Sequence, residues 1–299
     1  MNPFYKDYSE YMQGIFPGMK VQKLSIDAGF TCPNRDGSIG RGGCIYCNNA
    51  SFTPSYCKPA ETVEQQLEKG KAFFRKKYPE MKYLAYFQSY TNTFGRSGED
   101  LAELYRRAAD VEDVVGIVIG TRPDCLADDL LDELAVLNRR MPVIVEIGAE
   151  TSFDSTLRLI NRNHTWAQVE DAVRRLHSRG IRAGLHLIAG LPGETDSDVL
   201  LTVGKACALP VDSLKLHQLQ VIKGTELHRR MEAGELEVKP YDMESYLRLC
   251  VAIVGKVPRH ICIERFLSSS PPVMVVAPQW GLKNYTFVNL LLGRLRADG

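Results

Sequence analysis

The sequence feature that most constrains this chain is a glycine-rich loop that carries three cysteines. In residues 31–52, TCPNRDGSIGRGGCIYCNNASF, eleven residues separate Cys32 from Cys44 and two separate Cys44 from Cys47. Four glycines lie between the first two cysteines, a density that the interior of a helix or strand does not tolerate. The segment is therefore predicted to be a loop that wraps tightly around a metal centre.

The number of thiols on this loop favours one kind of metal centre. A structural zinc site needs four protein ligands, and a four-iron cluster normally takes four thiolates. Three thiolates leave one iron open to bind a small molecule, and Tyr46 adds an aromatic face beside it. Two alternatives stay open: three unrelated buried cysteines, or a zinc site completed by Cys57. An open iron–sulfur cluster is the favoured interpretation.

The composition is that of an ordinary soluble globular enzyme. The chain has 299 residues, of which 44% are hydrophobic and 24% charged, and its formal net charge is +1. This balance carries no overall signal for nucleic acid, so an RNA partner would have to bind a local basic patch. The candidate patches, which are equally explained as solvated helix faces, are Arg75-Lys76-Lys77, Arg139-Arg140, Arg174-Arg175, Arg179, Arg229-Arg230, and Lys256 with Arg259.

No segment of the sequence indicates secretion or insertion into a membrane. The charged N-terminus lacks the apolar core of a signal peptide, and the longest apolar runs suit buried strands. The eight cysteines are accordingly expected to be reduced thiols or metal ligands and not disulfides. A cytoplasmic location is expected.

Apolar periodicity predicts strands that alternate with helices. The predicted strands are residues 21–26, 83–88, 114–121, 143–149, 182–188 and 213–220, with a further short strand near 261–263. The predicted helices run from a capping box at Thr62 to about Lys77, then over residues 99–109, 127–140, 166–179, 197–208 and 243–254. The alternation indicates an α/β fold with a parallel sheet, but periodicity alone also allows a doubly wound sheet.

The cysteine loop and several later segments resemble one known family. CPNRDGSIGRGGCIYC is similar to the cluster loop of radical S-adenosylmethionine (SAM) enzymes, specifically the YtqA/YhcC subgroup related to the radical-SAM domain of the Elongator catalytic subunit. The spacing of the first two cysteines departs from the commonest radical-SAM pattern but is typical of this branch. Similar segments follow at residues 86–94, 120–125, 146–164, 186–195 and 215–225, so the resemblance covers nearly the whole chain.

The resemblance implies a partial (β/α)6 TIM-like barrel of the radical SAM type with a C-terminal extension. The chain is accordingly divided into an N-terminal segment at 1–20, a radical SAM core at 21–235 and a C-terminal extension at 236–299 that packs on the barrel. Aromatic residues of the first segment are expected to pack across one end of the fold.

The resemblance also implies a [4Fe-4S] cluster and S-adenosyl-L-methionine as cofactors. Cys32, Cys44 and Cys47 would bind three irons, and SAM would chelate the fourth. The candidate SAM-binding positions are Tyr46, Gln88, Ser89, Glu150, His186, Ile188 and Pro192. The Gly-Gly-Glu that relatives carry at the second strand is absent, and residues 188–192 are equally explained by a β-to-α turn.

Polar residues recur at the C-terminal ends of the predicted strands, where parallel α/β folds bind ligands. A polar side chain in a buried strand costs stability unless it is paired or used. The candidate catalytic residues, chosen as facing the substrate, are Tyr90, Arg122, His217 and Arg265.

The resemblance further implies the reaction and the partners. The reduced cluster would cleave SAM to a 5′-deoxyadenosyl radical that abstracts hydrogen from the substrate, with a flavodoxin- or ferredoxin-type protein as electron donor. MnmL-type relatives are associated with conversion of a carboxymethylaminomethyl group on the tRNA wobble uridine to the aminomethyl form, which predicts the tRNA anticodon stem-loop as partner. Two other functions stay open: a radical SAM enzyme acting on a small molecule or protein, and a zinc-stabilised RNA-binding module that requires Cys57.

Overall fold

The computed structural model describes residues 2–75, 78–268 and 270–298. The strands are β1 Lys6–Asp7, β2 Val21–Ile26, β3 Lys82–Phe87, β4 Val114–Thr121, β5 Val143–Glu150, β6 Arg182–Ala189, β7 Ser213–Gln218, β8 Val221–Ile222, β9 Cys262–Arg265 and β10 Val275–Ala277. The α-helices are α1 Tyr8–Ile15, α2 Pro33–Asp36, α3 Val63–Arg75, α4 Gly98–Ala109, α5 Asp128–Arg140, α6 Asp154–Leu159, α7 Trp166–Ser178, α8 Asp196–Cys207, α9 Glu226–Glu232, α10 Met243–Lys256 and α11 Asn284–Asp298.

One curved sheet organises the part of the chain that the structure describes. Its eight strands follow the order β1-β9-β7-β6-β5-β4-β3-β2, and each neighbouring pair is parallel. From β2 to β7 the strands lie side by side in the same order as in the chain. In a doubly wound sheet the strand order reverses at a switch point, so that architecture is excluded. The predicted partial (β/α)6 barrel is therefore confirmed, and β9 with β1 extends it beyond β7.

Alternation along the strands divides the core into two layers. In β3, Tyr83 and Phe87 point outward into the large cluster that packs against the surrounding helices, whereas Leu84 and Tyr86 point into the barrel. The inward residues meet Val118 of β4 in a smaller cluster, which we call the inner cluster. Because one face of the sheet is covered by helices and the other lines the barrel, both faces of each central strand are buried.

The N-terminal segment closes one end of the barrel. Helix α1 begins at an Asp7 cap, whose carboxylate accepts from the Glu10 backbone N–H at 2.9 Å. Its Tyr11 and Met12, followed by Phe16, are buried in the inner cluster. The expected packing of N-terminal aromatics across one end of the fold is observed, although the helix itself was not predicted from the sequence.

The C-terminal helix α11 was also missed by the sequence analysis. It packs on α10 through Phe287, whose ring lies parallel to Trp280 with centroids 6.4 Å apart and also contacts Tyr246. Residues 284–298 mix β-branched, aromatic and polar residues with a glycine, so their intrinsic helix preference is weak. The helix depends on contacts with α10, which the local pattern does not reveal.

Other predicted boundaries differ modestly from the structure. The strand predicted over 213–220 ends at Gln218, and Val221–Ile222 pairs instead with Val275–Ala277 in a separate antiparallel ribbon. The predicted end of the first long helix, at about Lys77, lies outside the described residues. Within the described chain, no helix has the length and apolar character needed to cross a membrane.

Replacing Phe287 tests whether α11 is held by its buried face. Phe287→Ala is expected to lower the free energy of unfolding by about 3–5 kcal/mol, because the ring is fully buried and leaves a cavity. Tyr285→Ala on the same helix is the matched control, since that side chain is 65% exposed, and it should change stability by less than about 0.5 kcal/mol. Denaturant unfolding followed by circular dichroism measures both, and equal losses would contradict this account.

Candidate active site

A cavity opens at the C-terminal edge of the barrel strands, between the cysteine loop and the barrel interior. The cysteine loop forms one wall, and inward-facing residues of β5, β6 and β7 form the floor. Parallel α/β barrels place their ligand sites at this edge because the loops after the strands converge there. The cavity is therefore the candidate active site.

All three cysteines of the loop line this cavity as free thiols. The backbone N–H of Cys47 donates to the Cys44 carbonyl at 3.0 Å, which folds the second and third cysteines into one turn. The Cys44 sulfur accepts from Asn34 Nδ2 and from Arg162 Nη1, each at 3.7 Å. These donors stabilise negative charge on the sulfur, as a metal-bound thiolate requires.

Two glycines of the loop, Gly40 and Gly43, are required by close approach of neighbouring groups. A Cβ on Gly40 would overlap the Asn34 side-chain oxygen and lie 2.6 Å from Asn163 Nδ2. Gly43 has a φ of 80° and would place a Cβ 2.9 Å from Arg35 Nε. Both positions therefore exclude a side chain, which agrees with the tight wrapping predicted from the sequence.

A second loop, residues 160–164, supports the cysteine loop from the β5 side. Asn161 Nδ2 donates to the carbonyls of Arg41 at 3.1 Å and Gly43 at 2.8 Å, and the Ile45 N–H donates to the Ile160 carbonyl at 3.1 Å. Asn161 has a left-handed φ of 54°, which asparagine tolerates better than most residues. The sequence analysis matched this segment to the family but assigned it no role.

The donor set fits an iron–sulfur cluster better than a single ion. In the part of the chain that the structure describes, no three His, Cys, Asp or Glu side chains converge closely enough to hold one metal ion. A cluster binds each thiolate at a different iron, so its cysteines stand farther apart than zinc ligands do. Cys57 does not line the cavity and donates to the Ser25 carbonyl at 2.9 Å. The zinc alternative therefore lacks its fourth ligand.

Most of the other predicted site residues also line this cavity: Tyr46, Gln88, Tyr90, Arg122, Glu150, His186, Ile188, His217 and Arg265. Ser89 and Pro192 are buried but lie outside the cavity lining described here. The Ser89 hydroxyl lies 3.4 Å from the Thr53 hydroxyl, and Pro192 occupies the turn after β6. The individual roles of these two residues and of the others stay predictions.

Two of these residues carry backbone strain. Tyr90 has a φ of 63° and Glu150 a φ of 65°, in the left-handed region that non-glycine residues avoid. Each such residue costs about 1–3 kcal/mol, and these conformations cluster at functional sites. In β5 the pairing with β6 also shifts register next to Glu150, whose side chain lines the cavity. Strain at two lining residues supports the assignment of this cavity as the site.

Arg122 is less available to a ligand than the sequence suggested. Its Nε and Nη2 donate to the two carboxylate oxygens of Asp124 at 2.9 and 2.8 Å. Burial raises the pKa of Asp124, but Arg122 outweighs this and holds the pKa below its usual value. The guanidinium charge is therefore already neutralised by a bidentate pair.

A buried ion cluster forms the floor of the cavity; we call Lys23, Glu146, Lys215 and Glu264 the floor cluster. Lys215 Nζ lies 2.9 Å from Glu146 and 3.3 Å from Glu264. Lys23 contacts Glu146 as well and lies 2.8 Å from Glu264. Burial raises the pKa of Glu146, but the two ammonium groups outweigh it and hold the pKa well below its usual value. Lys23 and Glu264 come from opposite ends of the chain, and no local pattern in the sequence marks them as site residues.

Two neutral histidines stand above this cluster with ring centroids 5.5 Å apart. His186 Nε2 lies 2.8 Å from Glu146 Oε2, yet burial and the Lys215 charge lower the pKa of His186. Burial and the Arg265 guanidinium hold the pKa of His217 well below its usual value. Arg265 Nη2 lies 3.2 Å from His217 Nδ1, which a neutral imidazole offers as an acceptor.

The candidate basic patches do not surround the cavity. Helices run antiparallel to the strands, so residues at helix ends before β3, β5, β6 and β9 lie at the opposite edge of the barrel. These residues are Arg75, Arg139, Arg140, Arg174, Arg175, Arg179, Lys256 and Arg259; Lys76 and Lys77 lie outside the described residues. On the cavity side, α9 contacts the cysteine loop, but its Arg229 pairs with Glu226 at 2.7 Å and Glu235 at 2.9 Å.

Glu146→Gln tests the floor cluster. The substitution is expected to lower the free energy of unfolding by about 3–5 kcal/mol, since it leaves two buried ammonium groups short of a carboxylate. The folded-state pKa of Glu146 lies well below 4.5. The difference in the free energy of unfolding between wild type and variant should therefore be largest above pH 4.5 and should shrink as the pH falls through the folded-state pKa. Denaturant unfolding as a function of pH measures it.

The exposed Glu237, paired with Lys239 on the surface, supplies the control. Glu237→Gln should leave the unfolding midpoint unchanged at every pH. A Glu146→Gln protein as stable as this control would show that the floor cluster contributes nothing to folding.

Comparison with known proteins identifies the family. A family model described as the radical SAM superfamily matches residues 34–206, and another described as the Radical_SAM C-terminal domain matches residues 211–297. Protein YhcC of Escherichia coli (strain K12) is 36% identical over 270 residues, covering 90% of this chain and 85% of that protein. YtqA of Bacillus subtilis (strain 168) is 36% identical over 283 residues, covering 94% and 87%.

More distant relatives match in part or in fold. A tRNA uridine(34) acetyltransferase of Methanocaldococcus jannaschii is 26% identical over 165 residues, covering 54% of this chain and 30% of that protein. The structure of archaeal Elp3 from Methanocaldococcus infernus aligns with a TM-score of 0.68 at 18% identity, covering 94% of this chain and 64% of that one. At this identity the likeness concerns the fold alone.

Proposed function

The chain belongs to the radical SAM superfamily, in the YhcC/YtqA group related to Elongator, and from that premise we propose that it modifies the wobble uridine of tRNA. The proposed reaction converts the carboxymethylaminomethyl group of that uridine to aminomethyl. The observation that carries the proposal is that this chain aligns over 54% of its length with an enzyme named for uridine 34 of tRNA. The site described above supports it with a cavity that joins three thiols to a polar floor.

Enzymes of this superfamily use a [4Fe-4S] cluster and SAM, and the residues present here fit both. Cys32, Cys44 and Cys47 would hold the cluster, with Asn34 and Arg162 donating to the Cys44 sulfur. When bound, the cluster and SAM supply a 5′-deoxyadenosyl radical that removes a hydrogen atom from substrate. The protein orients the substrate and excludes competing reactions of the radical. A flavodoxin- or ferredoxin-type protein is the proposed electron donor.

The proposed conversion balances without any further oxidant. The methylene between the amine nitrogen and the carboxylate would lose one hydrogen atom to the 5′-deoxyadenosyl radical and one electron, which would replace the electron spent in cleaving SAM. Water adds to the resulting iminium carbon, and the carbon–nitrogen bond breaks. The arm leaves as glyoxylate, one proton is released, and SAM ends as methionine and 5′-deoxyadenosine. Each product therefore forms in a one-to-one ratio with the aminomethyl uridine.

Anaerobic assays of wild type, Cys44→Ser and Cys57→Ser test the proposal. After reconstitution with iron and sulfide, wild type is expected to release 5′-deoxyadenosine, faster with tRNA that carries the carboxymethylaminomethyl group. Cys44→Ser should lose that activity and most of its visible iron–sulfur absorption, because the cluster loses a ligand. Cys57→Ser, whose thiol contacts Ser25 and not the cavity, should keep both. Mass spectrometry of tRNA nucleosides and of glyoxylate measures the products.

The outcomes separate the proposal from its alternatives. If tRNA does not change the release of 5′-deoxyadenosine, a small-molecule or protein substrate is favoured. That alternative is also supported by the basic patches, because they lie at the far edge of the barrel and Arg175 and Arg179 are paired with carboxylates there. Zinc in place of iron, with Cys57→Ser as damaging as Cys44→Ser, would instead indicate an RNA-binding module. Equal responses to tRNA with and without the carboxymethylaminomethyl group would contradict the proposed reaction.

A further inference from the structure

The charges in the floor of the cavity do not balance. Lys23 and Lys215 are neutralised by Glu146 and Glu264, as each ammonium group lies within hydrogen-bond or ion-pair distance of both carboxylates. Arg265 stands beside them and has no carboxylate within 4.0 Å among the described residues. The floor therefore carries one uncompensated positive charge.

Arg265 is turned to the cavity by an irregularity in its strand. Ile263 of β9 pairs with Leu214 of β7, but Lys215 pairs with Arg265, so Glu264 is an extra residue in the ladder. Without this register shift, the alternation of side chains would place Arg265 on the helix-facing side of the sheet, like Ile263. Register shifts of this kind re-aim side chains next to active sites.

The guanidinium of Arg265 has unused hydrogen-bonding capacity. Its Nη2 is fixed against His217 Nδ1 at 3.2 Å, and its Nε is buried without a hydrogen-bond partner among the described residues. A buried donor without a partner destabilises the folded protein, and more strongly when the group is charged. An anion in the cavity would remove this cost by accepting from the free edge of the guanidinium.

We propose that Arg265 binds the carboxylate of the substrate's carboxymethylaminomethyl arm, and that His217 is a positioning residue that orients the guanidinium. The inference rests on the proposed function and names the group that the site recognises. A planar guanidinium matches a carboxylate through two parallel hydrogen bonds, which an ammonium group cannot reproduce. Binding at the carboxylate places the adjacent methylene, from which hydrogen is removed, at a set position in the cavity.

The other buried arginines of the cavity differ from Arg265 in charge pairing and not in hydrogen bonding. Arg122 Nη1 and Arg162 Nε are also buried without a hydrogen-bond partner among the described residues, but each of these two side chains already faces a carboxylate. Arg122 is paired with Asp124, and Arg162 donates to the Gly148 carbonyl at 2.7 Å and lies 3.4 Å from Glu150. Arg35 lies on the exposed side of the cysteine loop, where its Nη2 donates to the Cys47 carbonyl at 3.0 Å. Arg265 is thus the cation best placed to recognise an anion at the floor.

The experiment compares two tRNAs on wild type, Arg265→Gln and Arg265→Lys. The substrate carries the carboxymethylaminomethyl group, and the reaction product, which carries aminomethyl and no carboxylate, is used as a competitive inhibitor. Arg265→Gln is expected to raise the KM for the substrate by about 10- to 100-fold, the range for losing charge-assisted hydrogen bonds. The inhibition constant of the product should stay the same, and Arg265→Lys should recover only part of the loss.

The controls distinguish a loss of substrate binding from misfolding of the variants. Arg259→Gln makes the same chemical change at the opposite edge of the barrel, where Arg259 donates to backbone carbonyls of the N-terminal segment, and it should leave the KM unchanged. Cluster absorption and melting temperature report whether each variant folds. Guanidinium added to Arg265→Ala is expected to recover activity, which a purely structural role would not allow.

The outcomes distinguish failure of this inference from failure of the proposed function. If substrate tRNA accelerates wild type and Arg265→Gln with the same KM, the inference is overturned and the proposed function stands. If the variant weakens substrate and product equally, Arg265 binds another part of the RNA, and the inference is again overturned. If no tRNA affects wild type, the proposed function fails and takes this inference with it.

Discussion

The ion pair between Lys23 and Glu264, 2.8 Å long and joining residues 241 positions apart, is the interaction on which the barrel's shape most depends. Lys23 lies on β2 and Glu264 on β9, which stand near opposite edges of the same sheet. A pair between them spans the barrel interior, so it holds the curl that periodicity alone cannot impose. Glu146 on the central strand β5 and Lys215 on β7 complete the set. The curved sheet therefore encloses the four charged side chains of the floor cluster.

Burying these charges has a consequence for chemistry. Buried ion pairs contribute little net stability compared with apolar residues of the same size, because desolvation offsets their attraction. Net stability alone therefore does not explain their presence, and their place at the floor of a cavity indicates that they serve the site as well as the curvature of the sheet. Burial, with the positive charge of Lys215 for His186 and mainly that of Arg265 for His217, lowers the pKa values of both histidines and keeps both rings neutral.

Strand β5 and the segment after it couple the two sides of the site. Glu146 belongs to the floor cluster, Glu150 carries the strained backbone at the cavity wall, and Arg162 reaches the Cys44 sulfur. The loop at 160–164 then supports the cysteine loop through Asn161. A cluster bound by the thiols and a substrate held over the floor would therefore be positioned by one continuous stretch of chain. This shared support accounts for the left-handed conformations at Glu150 and Asn161.

Local patterns in the sequence were enough to predict the three-cysteine loop, the alternation of strands and helices and the strand ends at which polar residues gather. Each depends on spacing within a few residues: glycine density, apolar periodicity or a capping box such as Thr165 with Gln168. Whether Ser89 lines the cavity could not be read from the sequence, because position along the chain does not tell which side chain reaches a cavity. Helix α11 was missed because its stability comes from Trp280 and Tyr246, outside its own sequence.

What only the tertiary structure decided is the pairing of charges. Lys23 and Glu264 look like ordinary strand residues in VQKLSI and CIER, since nothing local distinguishes a solvated charge from a buried one. The register shift that turns Arg265 inward depends on how β9 pairs with β7, a contact between distant segments. The sequence by itself determined the three-cysteine loop and the alternation of strands and helices, because both are encoded by short-range spacing, while the barrel and the cofactors were implied by the family resemblance. Long-range packing decides which charges are paired and which charge stays available to bind a ligand, and residue spacing does not encode that packing.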